Sequence, residues 1–201
     1  MLRTAVAVLV TVLVGGAVLW HGTDGLKAFT TEGARRLAVL EQPRTMPDVR
    51  LIDMRGQELQ LADENGRAVV VEFIYTTCPT LCTALGESFA KLQDAIKAAG
   101  LANRVRLVSI SFDPARDGLE ALKDYAEAHG ADGSLWVTAR PENELALHAL
   151  LEAFGVIVIP DGAGGFVHNA ALHVIDGQGR LKAIFDVGNE AQVLAAVRRE
   201  Q

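Results

Sequence analysis

Cysteine is scarce in this chain, which has only Cys78 and Cys82 among 201 residues. Two thiols are too few to build a framework of disulfides. A disulfide between them would close a loop of five residues, and in the chain-entropy model so short a loop stabilises by only about 2 kcal/mol, against nearly 5 kcal/mol for a long loop. We therefore exclude a disulfide-framework protein and favour a metal or redox role for the pair.

Positive charge is also in short supply. Lysine and arginine number 19 against 25 aspartates and glutamates, so the net charge is −6, and no basic cluster is interleaved with aromatic residues. Proteins that bind nucleic acid need positive charge to neutralise phosphates. We therefore exclude nucleic acid as a partner.

The chain has a single long uncharged apolar run, the 17 residues from Thr4 to Trp20, preceded by Arg3. As a helix the run is about 25 Å long, close to the roughly 30 Å hydrocarbon core of a bilayer. Because a positive flank stays in the cytoplasm, the remainder of the chain is expected to be exported. We expect residues 1–20 to be an uncleaved, single-pass anchor in the inner (cytoplasmic) membrane, with the globular domain in the periplasm or an equivalent exported compartment. The alternative is a cleaved signal peptide, whose nearest small-residue site lies inside the apolar run at 15–17.

Residues 21–46 are expected to form a linker. They are polar, contain three glycines and show weak helical periodicity around 34–40, so one short helix is expected there. Residues 47–201 are then left for one globular domain, and since half of the chain is hydrophobic, this length can bury a sizeable core. The sequence thus predicts an anchor or signal segment, a linker and one domain.

The two cysteines lie where a strand is expected to pass into a helix. Val69 to Tyr75 is an apolar, β-branched run typical of a strand buried on both faces, and an apolar-periodic helix follows the cysteines. The first turn of a helix carries partial positive charge, which lowers the pKa of a thiol and favours the thiolate. Pro79, between the cysteines, suits an early helix position because it has no N–H. The spacing Cys78-x-x-x-Cys82 is one residue longer than the redox pair of thioredoxins.

Strands and helices alternate along the rest of the domain. A strand, helix, strand and helix followed by a hairpin and a last helix predict a thioredoxin-like α/β domain, with a central mixed sheet and flanking helices. Asp117 is expected to cap the helix that follows it, and Pro141 to open the next one. The predicted elements are a hairpin within 49–61, strands at 69–75, 105–112, 135–138, 155–160 and 166–175, a second hairpin turning at 176–179, and helices at 83–99, 119–128, 141–154 and 190–199.

Four segments form a recognisable pattern. They are the hairpin around Gly56, Y-T-T-C-P-T-L-C at 75–82, I-S-F-D-P-A-R-D at 110–117, and H-N at 168–169 ahead of V-I-D-G-Q-G at 174–179. From about Pro47 to Val197 the chain resembles the Sco/SenC family of thioredoxin-like, membrane-anchored copper proteins that assist assembly of cytochrome c oxidase. It departs from that family at Thr83, where members often carry proline, and at Val167, where they usually carry aspartate.

The resemblance implies a copper site formed by Cys78, Cys82 and His168, with one ion, Cu(I) or Cu(II), per domain. The residue types agree, because two thiolates and an imidazole suit Cu(I), and cysteines four apart project to the same side of a helix. His168 lies 86 residues after Cys82 and reaches it only through the fold. No proline follows Pro160, so the cis-proline that faces the cysteines of thioredoxins has no counterpart, which favours copper over general thiol exchange. His173, expected on the other face of its strand, is predicted not to ligate.

Two functions stay open. In the first, the protein is a metallochaperone rather than an enzyme: it passes copper by ligand exchange to the oxidase subunit that builds the binuclear copper centre, with other copper chaperones as further partners and the domain monomeric. In the second, it is a thiol–disulfide reductase whose catalytic dithiol is Cys78, which attacks a partner's disulfide, and Cys82, which resolves it. Replacing His168 distinguishes the two, because a reductase keeps its exchange chemistry. Asp113 and Asp117 are interpreted as cap and turn residues, with a place on a site rim or partner surface as the alternative.

Overall fold

The computed structural model of the chain describes residues 2–64, 66–78 and 81–199, with the backbone alone described at 63 and 81. The chain forms two compact units, Met1–Gln42 and Pro43–Gln201. The early helix position predicted for Pro79 lies outside the described residues.

The first unit contains two helices. Helix α1 (Leu2–Gly22) is exposed along its whole length, and by length and composition alone it can cross a membrane, a test that a signal sequence also passes. Helix α2 (Thr31–Glu41) begins where the Thr30 hydroxyl accepts the N–H of Gly33 at 3.0 Å, an N-cap that satisfies one free donor of the first turn. The short helix predicted around 34–40 is therefore present.

The second unit is built on a mixed sheet. Its described strands are β1 (Arg44–Thr45), β2 (Leu51–Asp53), β3 (Glu58–Leu59), β4 (Ala68–Ile74), β5 (Val105–Ser111), β6 (Trp136–Pro141), β7 (Val158–Pro160), β8 (Phe166–His168), β9 (Leu172–Ile175) and β10 (Arg180–Phe185). Eight of them form one sheet in the order β1-β10-β9-β4-β5-β6-β2-β3, in which β4, β5 and β6 are parallel and the other pairs antiparallel. Strands β7 and β8 form a separate antiparallel pair.

Helices cover both faces of the large sheet. They are α3 (Leu81–Ala98), α4 (Leu119–His129), α5 (Glu144–Phe154) and α6 (Glu190–Arg199). Phe89 of α3 packs on Trp136 at 5.6 Å between ring centroids, and Phe154 of α5 packs on Phe73 at 5.1 Å. The expected central mixed sheet with flanking helices is confirmed.

Strand β4 is the centre of this core. All of its seven residues are buried, because parallel β5 and antiparallel β9 flank it and helices cover it. The predicted apolar stripe of α3 is fully buried as well, and it consists of Leu85, Phe89, Leu92 and Ile96. Each such side chain contributes about 1.5–3 kcal/mol by leaving water. The loops at the carboxyl ends of β4 and β5 therefore start from buried strands at the centre of the sheet.

Two predictions made from single residues at helix starts are wrong: Pro141 does not open α5, and Asp117 is not the cap of α4, although α4 begins at Leu119 as predicted. Pro141 ends strand β6 opposite Leu51, and α5 begins after Asn143, whose side-chain oxygen accepts the N–H of Ala146 at 2.9 Å. The helix begins after the asparagine because its side-chain oxygen can accept this otherwise unpaired N–H, whereas proline has no side-chain acceptor. Asp117 does not cap α4, because the N-cap position is occupied by Gly118, which has no side chain to accept a backbone N–H.

The strand predicted at 166–175 is two strands in two different sheets. Strand β8 ends at His168 and β9 begins at Leu172. The break lies at Asn169, whose side chain donates to the Gly155 carbonyl at 3.0 Å and accepts the N–H of Ile157 at 2.7 Å. These bonds turn the chain, so His168 belongs to the β7–β8 hairpin and not to the large sheet.

Candidate functional site

The two cysteines lie together at the carboxyl end of β4. After Ile74 the chain turns through a bond from the Cys78 N–H to the Tyr75 carbonyl at 3.2 Å. The Cys82 N–H, in the first turn of α3, then donates to the Cys78 sulfur at 3.3 Å. Both cysteines are free thiols, Cys78 partly exposed and Cys82 buried. The strand-to-helix junction predicted for the pair is thus present.

The expectation that the helix start favours the thiolate is wrong for Cys82. Burial raises the pKa of Cys82 well above its usual range, the neighbouring Cys78 and the charge of Glu72 raise it further, and a hydrogen bond involving the Tyr75 backbone opposes the shift. Only 1% of the surface of Cys82 is exposed. The loss of solvation therefore destabilises its thiolate by more than the helix dipole stabilises it. Cys82 is therefore held as a neutral thiol, and Cys78 is the sulfur that solvent and partners reach.

Glu72 is a buried carboxyl beneath this dithiol. Its Oε1 accepts the Ser109 hydroxyl at 2.6 Å, and Ser109 in turn accepts the Trp136 indole N–H at 2.8 Å. The other oxygen, Oε2, has no hydrogen-bond partner among the described residues. Burial raises the pKa of Glu72 to about 8, with the Ser109 bond opposing. The sequence signal for this residue was a single acid inside an otherwise apolar strand run.

His168 lies at the end of β8 and is 8% exposed. Its ring packs against Phe112 at 5.0 Å between centroids. Within the described part of the chain, neither ring nitrogen has a hydrogen-bond partner. Burial lowers the pKa of His168, which favours the neutral ring, the form that binds metals.

The cysteines and His168 are not assembled into a ligand set. Across residues 2–64, 66–78 and 81–199, no three histidine, cysteine, aspartate or glutamate side chains are grouped so as to hold a metal ion. A row of rings links the two parts instead: Phe112 contacts His168 on one side and Tyr75 on the other, at 5.4 Å. The Tyr75 hydroxyl accepts the N–H of Phe166 at 3.4 Å. Burial raises the pKa of Tyr75, and its interaction with the Cys78 side chain raises it further.

Asp117 supports the cysteine loop instead of capping a helix. It is fully buried and accepts the Thr76 N–H at 3.0 Å, the Thr76 hydroxyl at 2.6 Å and the Ser111 hydroxyl at 2.5 Å. Since β4 and β5 are parallel neighbours, their carboxyl ends bring Thr76 and Ser111 to one place, and a carboxylate there satisfies both. The sequence signal was polar residues at the ends of two adjacent strands.

Arg116, which precedes Asp117, contacts the hairpin that carries His168. Its guanidinium donates to the Gly164 carbonyl at 2.6 Å, lies over the Phe166 ring at 5.2 Å and pairs with Asp113. Gly164 and Phe166 belong to the hairpin that ends in His168. Consecutive residues of one segment therefore contact the cysteine loop and the His168 hairpin, a role that sequence reasoning missed.

His173 lies apart from these groups. It is fully buried on β9, its Nδ1 faces the Val71 carbonyl at 3.3 Å, and its ring packs between Phe73 and Phe154 at 5.8 and 5.1 Å. These contacts give it a packing role.

Comparison with known proteins places the chain among relatives of one kind. The family model SCO1/SenC matches residues 38–200. The SCO1 protein homolog of Bacillus subtilis is 25% identical over 128 residues, 63% of this chain and 65% of its own length, so the match spans about two thirds of that relative.

Solved structures share the thioredoxin-like architecture. BsSco, described as a member of the Sco family of cytochrome c oxidase assembly proteins with a disulfide switch, superposes with a TM-score of 0.70 at 20% identity, covering 79% of this chain and 94% of its own. Yeast Sco1 with copper bound gives a TM-score of 0.66 at 16% identity, covering 78% and 90%. At these identities the likeness establishes the fold, and the predicted thioredoxin-like class is confirmed.

Proposed function

Because the chain belongs to the SCO1/SenC family, we propose that it is a membrane-tethered copper metallochaperone that delivers copper to the binuclear copper centre of a cytochrome c oxidase subunit. Cys78, Cys82 and His168 hold one copper ion as cargo. Helix α1 is the tether in the inner membrane, and the domain works as a monomer on the exported side.

The observation that carries the proposal is the state of the His168 ring. A buried polar group without a hydrogen bond costs roughly 1–3 kcal/mol, and both nitrogens of this ring are in that position within the described chain. The ring is neutral, so it has a lone pair to offer. It is carried by the hairpin that Arg116 and Tyr75 connect to the cysteine loop. These properties suit a side chain that donates its lone pair to a metal ion.

The donor set suits the cargo. Two sulfurs and one imidazole are soft ligands that favour Cu(I) over harder divalent ions. The sulfurs are already adjacent, so binding requires only the hairpin and the cysteine loop to approach each other. Both thiols release protons on binding, and because burial raises the pKa of Cys82, copper affinity is expected to rise with pH. Delivery proceeds by ligand exchange, in which each donor of the recipient displaces one donor of this chain.

Copper titration of the full chain in detergent, under reducing conditions and against a competing Cu(I) chelator, tests the proposal. The wild type is expected to bind one equivalent. His168→Ala is expected to weaken binding about tenfold or more, since it removes one of three ligands. His148→Ala removes an exposed histidine of α5 and is expected to bind like the wild type. Equal affinity of His168→Ala and His148→Ala would remove His168 from the site.

A thiol–disulfide reductase is the second candidate, and the unequal burial of the two thiols favours it. Cys78 is partly exposed and can attack a partner's disulfide, whereas buried Cys82 can resolve the mixed disulfide from within. Reduction of a disulfide-bonded peptide by the His168→Ala variant distinguishes the two functions. A reductase keeps its rate in that variant, and a chaperone loses its copper.

A further inference from the structure

A pocket of about 400 Å³ lies at the end of the sheet opposite the cysteines. Its walls come from the amino ends of the parallel strands: Arg67 precedes β4, Arg106 is the second residue of β5, and Ser134 precedes β6. Strand β4 has seven residues, so roughly 20 Å of strand separates this pocket from the cysteine loop at 3.3 Å per residue. The pocket is therefore distinct from the proposed copper site.

Four cationic side chains line the pocket, and they are Arg55, Arg67, Lys97 and Arg106. This concentration occurs in a chain whose net charge is −6. The local charge is thus opposite in sign to that of the molecule as a whole.

Three of these cations are paired with carboxylates: Lys97 with Asp132, Arg55 with Asp53, and Arg67 with Glu64. Asp132 binds Lys97 at 2.8 Å through one oxygen, and its other oxygen accepts the backbone N–H groups of residues 134–136 at 2.8 to 3.2 Å. Asp53 binds the Arg55 guanidinium at 2.8 Å and also accepts the N–H groups of Arg55 and Gln57. Both oxygens of Asp132 and both oxygens of Asp53 are thus already engaged.

Arg106 is the cation without such a partner. Its guanidinium donates to the Ser134 carbonyl at 2.5 Å, and no ion pair joins it to a described carboxylate. Its Nε is fully buried and has no hydrogen-bond partner in the described chain. Burial lowers the pKa of Arg106, and repulsion by Arg67 and Arg55 adds to the shift while Glu64 opposes it. The positive charge of Arg106 thus has no carboxylate partner among the described residues, and it favours an anion in the adjacent pocket.

We propose that this pocket binds a phosphate group, carried either by a small phosphorylated molecule or by an anionic lipid headgroup. The planar guanidinium of Arg106 matches the geometry of phosphate oxygens, and Arg55, Arg67 and Lys97 add positive charge around the same pocket. The pocket volume lies in the range of small-molecule sites. A lipid source is compatible with a chain that carries a helix able to cross a membrane.

The chemical shift of the Arg106 Nε–Hε group, followed in ¹H–¹⁵N NMR spectra, reports on binding in the pocket. The signal is assigned by its disappearance in Arg106→Gln. The full chain in a phosphate-free detergent is titrated with inorganic phosphate and with glycerol 3-phosphate, and with chloride at the same ionic strength. In a second arm the chain is placed in phosphatidylcholine nanodiscs with and without phosphatidylglycerol. A saturable shift with phosphate or glycerol 3-phosphate supports a soluble ligand, and a shift only with phosphatidylglycerol supports a lipid.

Binding affinities of variants complete the test. Arg106→Gln is expected to weaken binding of the effective probe about tenfold or more, because it removes a charge-assisted bidentate contact. If that variant fails to fold, Lys97→Gln, on the half-exposed rim of the pocket, is expected to weaken binding about threefold. Lys91→Gln removes the same charge from an exposed position of α3 outside the pocket and is expected to change nothing. Chloride acting as well as phosphate, or folded pocket variants that bind like Lys91→Gln, would overturn the proposal.

Discussion

The cysteine loop and the His168 hairpin are held in different ways. The loop continues directly from β4, and the buried carboxylate of Asp117 fixes its backbone. Among the described strands, β7 and β8 pair only with each other, and their hairpin meets the rest of the unit through side chains such as Arg116 and Phe112. A two-stranded hairpin is at best marginally stable alone. The dithiol thus belongs to the rigid core, whereas His168 is carried on an element that can shift.

This difference explains why the proposed ligands are only partly assembled. The two sulfurs are in place because the central strand and α3 position them. The imidazole is linked to the cysteine loop through the rings of Phe112 and Tyr75, and among the described residues no three potential ligands are grouped so as to hold a metal ion. Copper binding is therefore expected to move the His168 hairpin more than the cysteine loop.

The largest effect on the free energy of unfolding is expected at Glu72, in strand β4 next to the cysteine loop. Its folded-state pKa of about 8 lies above the ordinary 4.5, so the folded state binds the proton more tightly than the unfolded state. The stability that the protonated carboxyl gives is complete below pH 4.5 and is lost as pH rises towards 8. At 1.36 kcal/mol per pKa unit the loss is on the order of 4 kcal/mol.

Glu72→Gln, which stays neutral, should not show this loss and should gain stability over the wild type as pH rises from 5 to 8. Urea unfolding of the full chain in detergent, at several pH values, measures the difference. Glu87→Gln, at an exposed position of α3, serves as the control and should follow the wild type. Parallel pH curves for the wild type and Glu72→Gln would mean that the carboxyl is not buried as described.

The next effect is expected at Asp117. Asp117→Asn keeps the shape of the side chain but removes the charge and one acceptor that hold Thr76 and Ser111. Hydrogen bonds to a charged group contribute about 1.5–3 kcal/mol each, so a loss of roughly 2–3 kcal/mol of unfolding free energy is expected. The same urea experiment measures it, with the exposed Asp124→Asn as control. If both variants are equally stable, Asp117 does not stabilise the cysteine loop.

The smallest effect on stability, and the most local one, is expected at Arg116. Arg116→Met removes the bond to Gly164 and the contact with the Phe166 ring, which together contribute about 1 kcal/mol at a partly exposed position. Amide hydrogen exchange should become several-fold faster in β7 and β8 and stay unchanged in β4. Arg116→Lys, which keeps the charge, should lie between the wild type and Arg116→Met. Equal acceleration in β4 would show that the two halves are not held separately.

Much of the fold was predictable because it depends on local patterns. The apolar run of β4, the stripe of α3 and the turn at 176–179 are periodicities or turn residues that act over a few positions. The start of α5, the cap of α4 and the break at Asn169 were missed, because side chains competed for backbone groups that sequence spacing does not identify. The hairpin's separation from the large sheet follows from that one asparagine.

The site was predictable only in its residue types. The spacing of the two cysteines placed them at one helix start, but the helix-dipole argument gave the wrong pKa direction for Cys82, since burial depends on packing from distant segments. The roles of Asp117 and Arg116 depend on which strands are neighbours, and this is a property of the folded sheet. Tyr75 and Phe112, the rings between the dithiol and His168, carried no sequence signal beyond being aromatic.

The most direct test is X-ray absorption at the copper edge of the full chain loaded with one equivalent of Cu(I). The wild type is expected to show two sulfur donors and one histidine nitrogen, and His168→Ala is expected to lose the nitrogen alone. A wild-type spectrum of two sulfurs without a histidine, unchanged by that substitution, would contradict it.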